Sequence, residues 1–179
     1  RCGGVVLSVE YTQAVGELAH SQNLQLHIDG ARIFNAAVAL GVPAHALAAP
    51  ADSLTFCLSK ALSAPVGSVI VGERNFITKA HRIRKILGGG MRQAGVLAAA
   101  GIVALETMID RLAEDHQRAR KLAAGLSQIP GLALEPGSPY TNMVFVNLTP
   151  ETGLSAGEVA KRLKPHGVLA GTASARQFR

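Results

Sequence analysis

The chain has 179 residues, of which 48% are hydrophobic and 17% are charged. This composition is typical of a globular chain and excludes a disordered one. The net charge of +6 suits anionic ligands, but only 4% of the residues are aromatic, which argues against a base-stacking surface for nucleic acid.

The compartment and the extent of the protein follow from the cysteines and the chain ends. Cys2 and Cys57 lie far apart, which indicates a reducing compartment without a disulfide framework. No apolar run approaches the length of a membrane span. We therefore expect a cytoplasmic protein that does not act at a membrane, with a mitochondrial location left open. Because the chain opens on Arg1 and stops at Arg179, we expect a piece of a longer protein.

Hydrophobic periodicity and turn residues divide the chain into alternating elements. The predicted helices are 10–23, 33–40, 73–87, 96–110, 112–128 and 155–163, with a short turn or helix over 45–50. The predicted strands are 24–28, 53–58, 67–71, 132–134, 143–148 and 168–170. This alternation predicts an α/β fold with a mostly parallel sheet, followed by a smaller α+β unit. We place the two domains at 1–108 and 109–179.

Two polar residues, Asp29 and Lys60, directly follow apolar strands of the first domain. Ligands of parallel sheets bind beyond the carboxyl ends of the strands, so both residues are expected at one edge. A lysine at the end of a buried strand costs free energy unless its charge is paired with an acid or its amine is used in chemistry. Taken singly, Lys60 could be a solvated strand end and Asp29 a turn residue.

Together, Asp29 and Lys60 make chemical sense as a cofactor site. Pyridoxal phosphate needs a lysine for its aldehyde and a carboxylate for its pyridine nitrogen. Arg32 could bind a carboxylate or phosphate through two parallel hydrogen bonds, or could merely bridge to an acid. Ser59 could donate a hydrogen bond to the phosphate. His27 shares a strand face with Asp29, and we interpret it as a structural hydrogen-bonding residue.

Three blocks of this sequence resemble the low-specificity L-threonine aldolases. They are His27-Ile-Asp-Gly-Ala-Arg32, Ser59-Lys60 and Leu87-Gly-Gly-Gly-Met-Arg-Gln-Ala-Gly95. These aldolases belong to the β-eliminating lyase group of fold type I pyridoxal-phosphate enzymes. The resemblance implies that fold, here as part of the large-domain sheet plus a truncated small domain. It also implies the cofactor pyridoxal 5'-phosphate, a homo-oligomer, and retro-aldol cleavage of L-threonine or L-allo-threonine to glycine and an aldehyde.

The resemblance also implies roles for individual residues. Lys60 would hold the cofactor as a Schiff base, Asp29 would pair with the pyridine nitrogen, and Arg32 would bind the substrate carboxylate. Arg92, together with Lys85, would approach the cofactor phosphate of a neighbouring subunit. Arg179 would be a second ligand of the substrate carboxylate, with Arg176 as the alternative. The family's Gly-rich phosphate loop and ring-stacking histidine have no counterpart here.

Three other functions remain open at this point. The first is another reaction on the same scaffold, either β-elimination or transamination. The second is a catalytically inactive truncated product that acts only in binding or oligomerisation. The third is nucleic-acid binding driven by the positive charge, although no recognisable module supports it. His20, His45, His81, His116 and His166 have no metal-ligand spacing, and we expect them at the surface and no metal site.

Overall fold

The computed structural model describes residues 4–179. Its helices are α1 (Val9–Ser21), α2 (Ile33–Leu40), α3 (Ala44–Ala48), α4 (Arg74–Ile86), α5 (Gly95–Thr107), α6 (Leu112–Leu126) and α7 (Ala156–Leu163). Its strands are β1 (His27–Asp29), β2 (Ser53–Cys57), β3 (Ser68–Gly72), β4 (Leu132–Leu134), β5 (Val146–Leu148) and β6 (Gln177–Phe178). No helix in this range is long and apolar enough to cross a membrane.

The described chain forms two compact units. One unit is Leu7–Leu112, and the other is Ala113–Arg179 together with the segment that ends at Val6. The sequence division at 108/109, and its assignment to a large and a small domain, remains a prediction.

The sheet of the first unit has the order β1-β2-β3. β1 and β2 are parallel, with Ile28 opposite Leu54 and Asp29 opposite Thr55. β3 runs antiparallel to β2, which differs from the predicted mostly parallel arrangement. The connection 58–67 is too short to cross over and return in the same direction, since a parallel crossover needs about a dozen residues or more.

One face of this sheet packs against α2 and α3 of the first unit. Leu54 of β2 is buried with Ile33 and Ala37 of α2 and Leu47 of α3. The rings of Phe34 and Phe56 meet edge to face with their centroids 5.3 Å apart. α2 has the predicted bounds because Gly41 ends it in the left-handed conformation (φ 67°). The apolar face of the sheet thus packs against α2 and holds β1 and β2 in place, so that their carboxyl ends lie side by side.

The second unit carries an antiparallel sheet of order β4-β5-β6. Val146 and Leu148 of β5, Ala156 of α7 and Phe178 of β6 form its core. The predicted strand at 168–170 is wrong, because that segment has no regular structure and Leu169 is 83% exposed. β6 pairs with β5 instead, since Phe178 can bury a whole ring in the core.

The start of α7 is closed by a capping box. The Ser155 hydroxyl accepts the Glu158 N–H at 3.3 Å, and the Glu158 carboxylate accepts the Ser155 N–H at 2.8 Å. We expect Ser155→Ala to lower the free energy of unfolding by about 1 kcal/mol, as loss of an N-cap does elsewhere. Urea denaturation measures this change, with Ser127→Ala, at the end of α6, as the matched control. A loss of less than about 0.3 kcal/mol relative to that control would contradict the capping role.

Candidate active site

Asp29 and Lys60 follow neighbouring parallel strands and lie at the same sheet edge. Asp29 is the last residue of β1, and its Oδ1 accepts the Ala31 N–H at 3.2 Å. The Gly30 N–H continues the strand pairing by donating to the Thr55 carbonyl at 2.8 Å. β2 ends two residues beyond Thr55, and Lys60 stands in the loop that follows. The shared edge that the sequence predicts is therefore present.

The loop that carries Lys60 is closed by backbone hydrogen bonds. The N–H groups of Leu58 and Ser59 donate to the Gly67 carbonyl at 3.0 and 3.3 Å, and Ala64 donates to Leu58 at 3.1 Å. Ser63 takes a left-handed conformation (φ 61°) and donates to the Lys60 carbonyl at 2.9 Å. These hydrogen bonds hold the backbone of Lys60 in place, and its side chain is exposed to solvent.

The cost expected for a lysine at the end of a buried strand does not arise at Lys60, because its side chain is exposed. Lys60, Ser59 and Asp29 are all exposed, and no ion pair joins any of them to another residue between 4 and 179. The physical reason is that the loop leaves the sheet at its edge, where no described element covers the side chains. Lys60 is consequently distinguished by its position at the same sheet edge as Asp29 and not by burial.

Arg32 stands immediately before α2, three residues after Asp29. Its side chain is partly buried, and its Nε is buried without a hydrogen-bond partner in the described part of the chain. A buried N–H without a partner costs free energy that a bound acceptor would recover. The alternative that Arg32 bridges to a neighbouring acid receives no support from the described ion pairs.

The glycine run after α4 is a helix stop. The Gly88 N–H donates to the Lys85 carbonyl at 3.2 Å and the Gly89 N–H donates to the Arg84 carbonyl at 2.8 Å. Gly88 has φ +84°, so this is a Schellman motif with a glycine where a side chain would be strained. The Lys85 side chain covers Gly90, since a Cβ at Gly90 would lie 2.9 Å from the lysine Nζ. Lys85 and Arg92 are both exposed, and no hydrogen bond described here links either to Asp29 or Lys60.

The two C-terminal arginines lie in the second unit and differ in their contacts. The Arg176 Nε donates to the Leu148 carbonyl at 3.1 Å, and its Nη2 donates to Thr149. The exposed Arg179 pairs with Gly171 through its backbone alone, by bonds of 2.7 and 3.0 Å. The guanidinium of Arg176 is thus used inside its own unit, which favours Arg179 as the one available for a ligand.

One histidine was misplaced by the sequence interpretation. His116 is only 3% exposed, whereas His20, His45, His81 and His166 are exposed as expected. The signal was the spacing of α6, because His116 falls on the same helical stripe as the buried Leu112, Ala119 and Ala123. Burial lowers the pKa of the His116 imidazole, and Arg120 lowers it further while Asp115 opposes the shift.

The lowered pKa of His116 predicts a pH-dependent stability. The unfolded chain binds the proton more tightly, so this contribution is complete above the ordinary pKa of 6.5 and is lost as pH falls below it toward the folded value. We expect His116→Gln to flatten the fall in urea midpoint between pH 8 and pH 5. His166→Gln, at an exposed histidine of the same unit, should leave the slope unchanged. Equal slopes for wild type and His116→Gln would contradict this prediction.

Two polar contacts join neighbouring segments of the first unit; the hydrogen-bonding role of His27 agrees with the sequence interpretation, whereas its partner and the His20–Asp52 contact were not predicted. His20 Nε2 lies 3.0 Å from an Asp52 carboxylate oxygen, which also accepts the Leu26 N–H at 2.7 Å. These bonds hold the pKa of Asp52 below its usual range. His27 Nδ1 lies 2.8 Å from the Ser53 hydroxyl. No group of three or more metal-ligating side chains occurs among residues 4–179.

The first unit is of the α/β class, with its candidate groups at the carboxyl edge of parallel strands, where such sheets bind ligands. Residues 1–150 match the family model described as Beta-eliminating lyase. The chain therefore belongs to the beta-eliminating lyase family, and the resemblance found in the sequence is confirmed. This family is generally dependent on pyridoxal phosphate.

Relatives with names and solved structures agree with this assignment. The chain is 52% identical over 167 residues to low-specificity L-threonine aldolase 1 of Arabidopsis thaliana, covering 93% of this chain and 47% of that protein. It is 46% identical over 158 residues to the low specificity L-threonine aldolase of Escherichia coli K12, covering 88% of this chain and 46% of that protein.

A solved structure from Listeria monocytogenes EGD-E, described as a candidate L-allo-threonine aldolase, is similar with a TM-score of 0.82 at 23% identity. The match covers 98% of this chain and 50% of that one. These neighbours confirm the predicted fold type I class. The chain spans about half the length of the relatives it matches.

Proposed function

We propose that the intact protein carrying this chain cleaves β-hydroxy-α-amino acids, with L-threonine and L-allo-threonine as substrates, to glycine and an aldehyde. The observation that carries the proposal is the position of Asp29 and Lys60 at one edge of parallel strands. The names of the relatives support this reaction over β-elimination and transamination on the same scaffold.

The donor set of the first unit fits pyridoxal phosphate. It combines the exposed amine of Lys60, the carboxylate of Asp29 and the buried Nε of Arg32, which has no hydrogen-bond partner among residues 4–179. When bound, this group supplies a ring that accepts electrons from a bond broken at the substrate's α-carbon. The chemistry of the residues present is therefore what this cofactor needs.

Each residue then has a defined task. The Lys60 amine holds the cofactor aldehyde covalently, and the Asp29 carboxylate keeps the ring nitrogen protonated. The Arg32 guanidinium binds the substrate α-carboxylate and orients the amino acid. The Ser59 hydroxyl donates to the cofactor phosphate. In the overall reaction the Cα–Cβ bond breaks, the β-hydroxyl loses its proton and Cα gains one, which gives an aldehyde and glycine.

Arg179 serves in this proposal as a second ligand for the substrate carboxylate. The engagement of Arg176 with two backbone carbonyls supports this choice. Arg92 and Lys85 are assigned to the cofactor phosphate of a second subunit. Their exposure is compatible with that role, because both would reach outward from their own chain.

A homo-oligomer is the assembly that we propose. Large apolar side chains are uncovered along α4, the glycine run and α5, including Leu87 and Val96, each 80% exposed. α5 buries Gly101 and Ala104 but leaves the apolar side chains of Ile102 and Val103 exposed as well, which is unusual for the solvent-facing side of a helix. Sedimentation of the intact protein should give a dimer or tetramer, and a monomer at micromolar concentration would contradict this assembly.

The reaction is tested by product analysis. The intact protein is mixed with pyridoxal phosphate and either amino acid, and the products are identified. Glycine with acetaldehyde supports the proposal, and 2-oxobutanoate with ammonia indicates β-elimination. Transfer of the amino group to an added 2-oxo acid indicates transamination. If the 179 residues alone yield no product while the intact protein yields glycine, the truncated chain is inactive.

Salt-sensitive binding of labelled RNA or DNA with no turnover would favour nucleic-acid binding instead.

A further inference from the structure

We propose that His27 and Ser53 form a positioning pair, whose hydrogen bond holds the end of β1 so that the Asp29 carboxylate meets the cofactor's ring nitrogen. The inference rests on the proposed function, since it concerns how Asp29 is held for that cofactor. Neither residue is a catalytic group in this view, because both act through Asp29.

The two side chains bridge the strands next to Asp29. His27 is opposite Ser53 in the parallel register, and its Nδ1 lies 2.8 Å from the Ser53 hydroxyl oxygen. His27 and Asp29 are two residues apart on a strand, so their side chains lie on the same face of the sheet. The hydrogen bond therefore lies two residue pairs from the Asp29–Thr55 pair, with the Ile28–Leu54 pair between them.

β1 depends strongly on its contacts with β2. It has three residues, and in the described chain β2 is its only strand neighbour. Beyond its ends, Gly30 donates to the Thr55 carbonyl at 2.8 Å, and Asp52 donates to the Leu26 carbonyl at 2.9 Å. The His27–Ser53 bond lies between these two backbone bonds. It adds a side-chain restraint to a strand that is otherwise held by few bonds.

Packing does not account for this pair. The opposite face of the sheet, with Ile28, Leu54 and Phe56, contacts the apolar core. The face that carries His27 and Asp29 also carries the half-buried Cys57, which accepts from the Ser68 hydroxyl at 3.3 Å. Ser53 is buried, and a buried hydroxyl needs a partner, which the His27 ring provides. The exposed ring of His27 buries little apolar surface, so its contribution is the hydrogen bond.

Atom positions in related side chains offer a matched set of variants. Asparagine places a polar atom where histidine has Nδ1, so His27→Asn can keep the bond to Ser53. Glutamine places its polar atoms one bond further out, so His27→Gln removes the bond at similar polarity. Ser53→Ala removes the same bond from the other strand.

The test measures the dissociation constant of pyridoxal phosphate and the visible absorption band of the bound cofactor, using the intact protein. We expect Ser53→Ala and His27→Gln each to weaken binding by about 2- to 12-fold, the range of one net hydrogen bond, and to shift the band. His27→Asn should remain within about 2-fold of wild type. The double variant His27→Gln/Ser53→Ala should be no weaker than either single variant, because both remove one bond.

The outcomes separate this inference from a structural role and from the proposed function. A lower urea midpoint of the cofactor-free protein, with an unchanged dissociation constant and absorption band, overturns the positioning role. The same holds if His27→Asn behaves like His27→Gln. If wild type binds the cofactor normally and all variants match it, only this inference fails. If wild type forms no visible band at all, the proposed function fails and the inference fails with it.

Discussion

Lys60→Ala is expected to abolish covalent attachment of pyridoxal phosphate and to lower the rate of glycine formation by at least about three orders of magnitude, the scale on which loss of a covalent catalytic group acts in other enzymes. The physical reason is that no other side chain in this account provides the amine at the carboxyl edge of β1 and β2. The variant should lack the visible absorption band that wild type acquires on mixing with the cofactor. Its urea midpoint should stay close to that of wild type, because the Lys60 side chain is exposed.

The matched control for this variant is Lys79→Ala. Lys79 is exposed on α4 of the same unit and has no role in the proposed site. The Lys79→Ala variant removes an identical charge. It should leave both the absorption band and the rate of glycine formation within about 2-fold of wild type, as is usual for surface substitutions. A Lys60→Ala protein that still acquires the band would contradict the assignment of Lys60.

Asp29→Asn is expected to weaken pyridoxal-phosphate binding by about 10- to 150-fold, and to lower the rate at saturating cofactor. The asparagine keeps the size of the side chain but loses the charge, and a charge-assisted hydrogen bond contributes about 1.5–3 kcal/mol. Without the carboxylate, the ring nitrogen loses its proton more easily and the ring accepts electrons less well. The covalent bond to Lys60 should still form, which distinguishes this variant from Lys60→Ala.

Asp110→Asn provides the charge-matched control, since Asp110 is exposed and lies in the same unit. It should bind the cofactor like wild type. Titration of the visible band against cofactor concentration measures both variants. If Asp29→Asn and Asp110→Asn bind equally well, the carboxylate does not pair with the ring nitrogen.

The parts of the fold governed by local chain chemistry could be predicted from the sequence. α2 begins and ends where the apolar run 33–40 and Gly41 indicate, and the Ser155–Glu158 spacing predicted the start of α7. The shared edge of Asp29 and Lys60 also followed from the sequence, since each residue directly follows an apolar strand. These features depend on residues within a few positions of one another.

The errors arose where distant contacts decide the outcome. The segment 177–178, and not the predicted 168–170, forms the strand that pairs with β5, because this pairing buries Phe178. Pairing between distant segments cannot be inferred from local propensity. β3 runs antiparallel to β2, against the prediction of a mostly parallel sheet, because the connection 58–67 is too short for a parallel crossover. His116 is buried because α6 turns that stripe inward, although histidine alone suggests a surface position.

The sequence predicted the placement of Asp29 and Lys60 after neighbouring strands, but it did not predict the surroundings of their side chains. Desolvation of Lys60 would require elements that cover the sheet edge, and the described residues provide none. The His27–Ser53 contact could not be inferred without the register of β1 and β2, because a one-residue shift would put the two side chains on opposite faces.

Reduction with borohydride followed by peptide mass mapping tests the central claim most directly. Borohydride converts a Schiff base into a stable secondary amine, so the lysine that held the cofactor keeps its added mass through digestion. We expect the intact protein, reduced in the presence of pyridoxal phosphate, to carry this mass on the peptide that contains Lys60. Attachment confined to another lysine, such as Lys85, or a Lys60 peptide without added mass, would contradict the account.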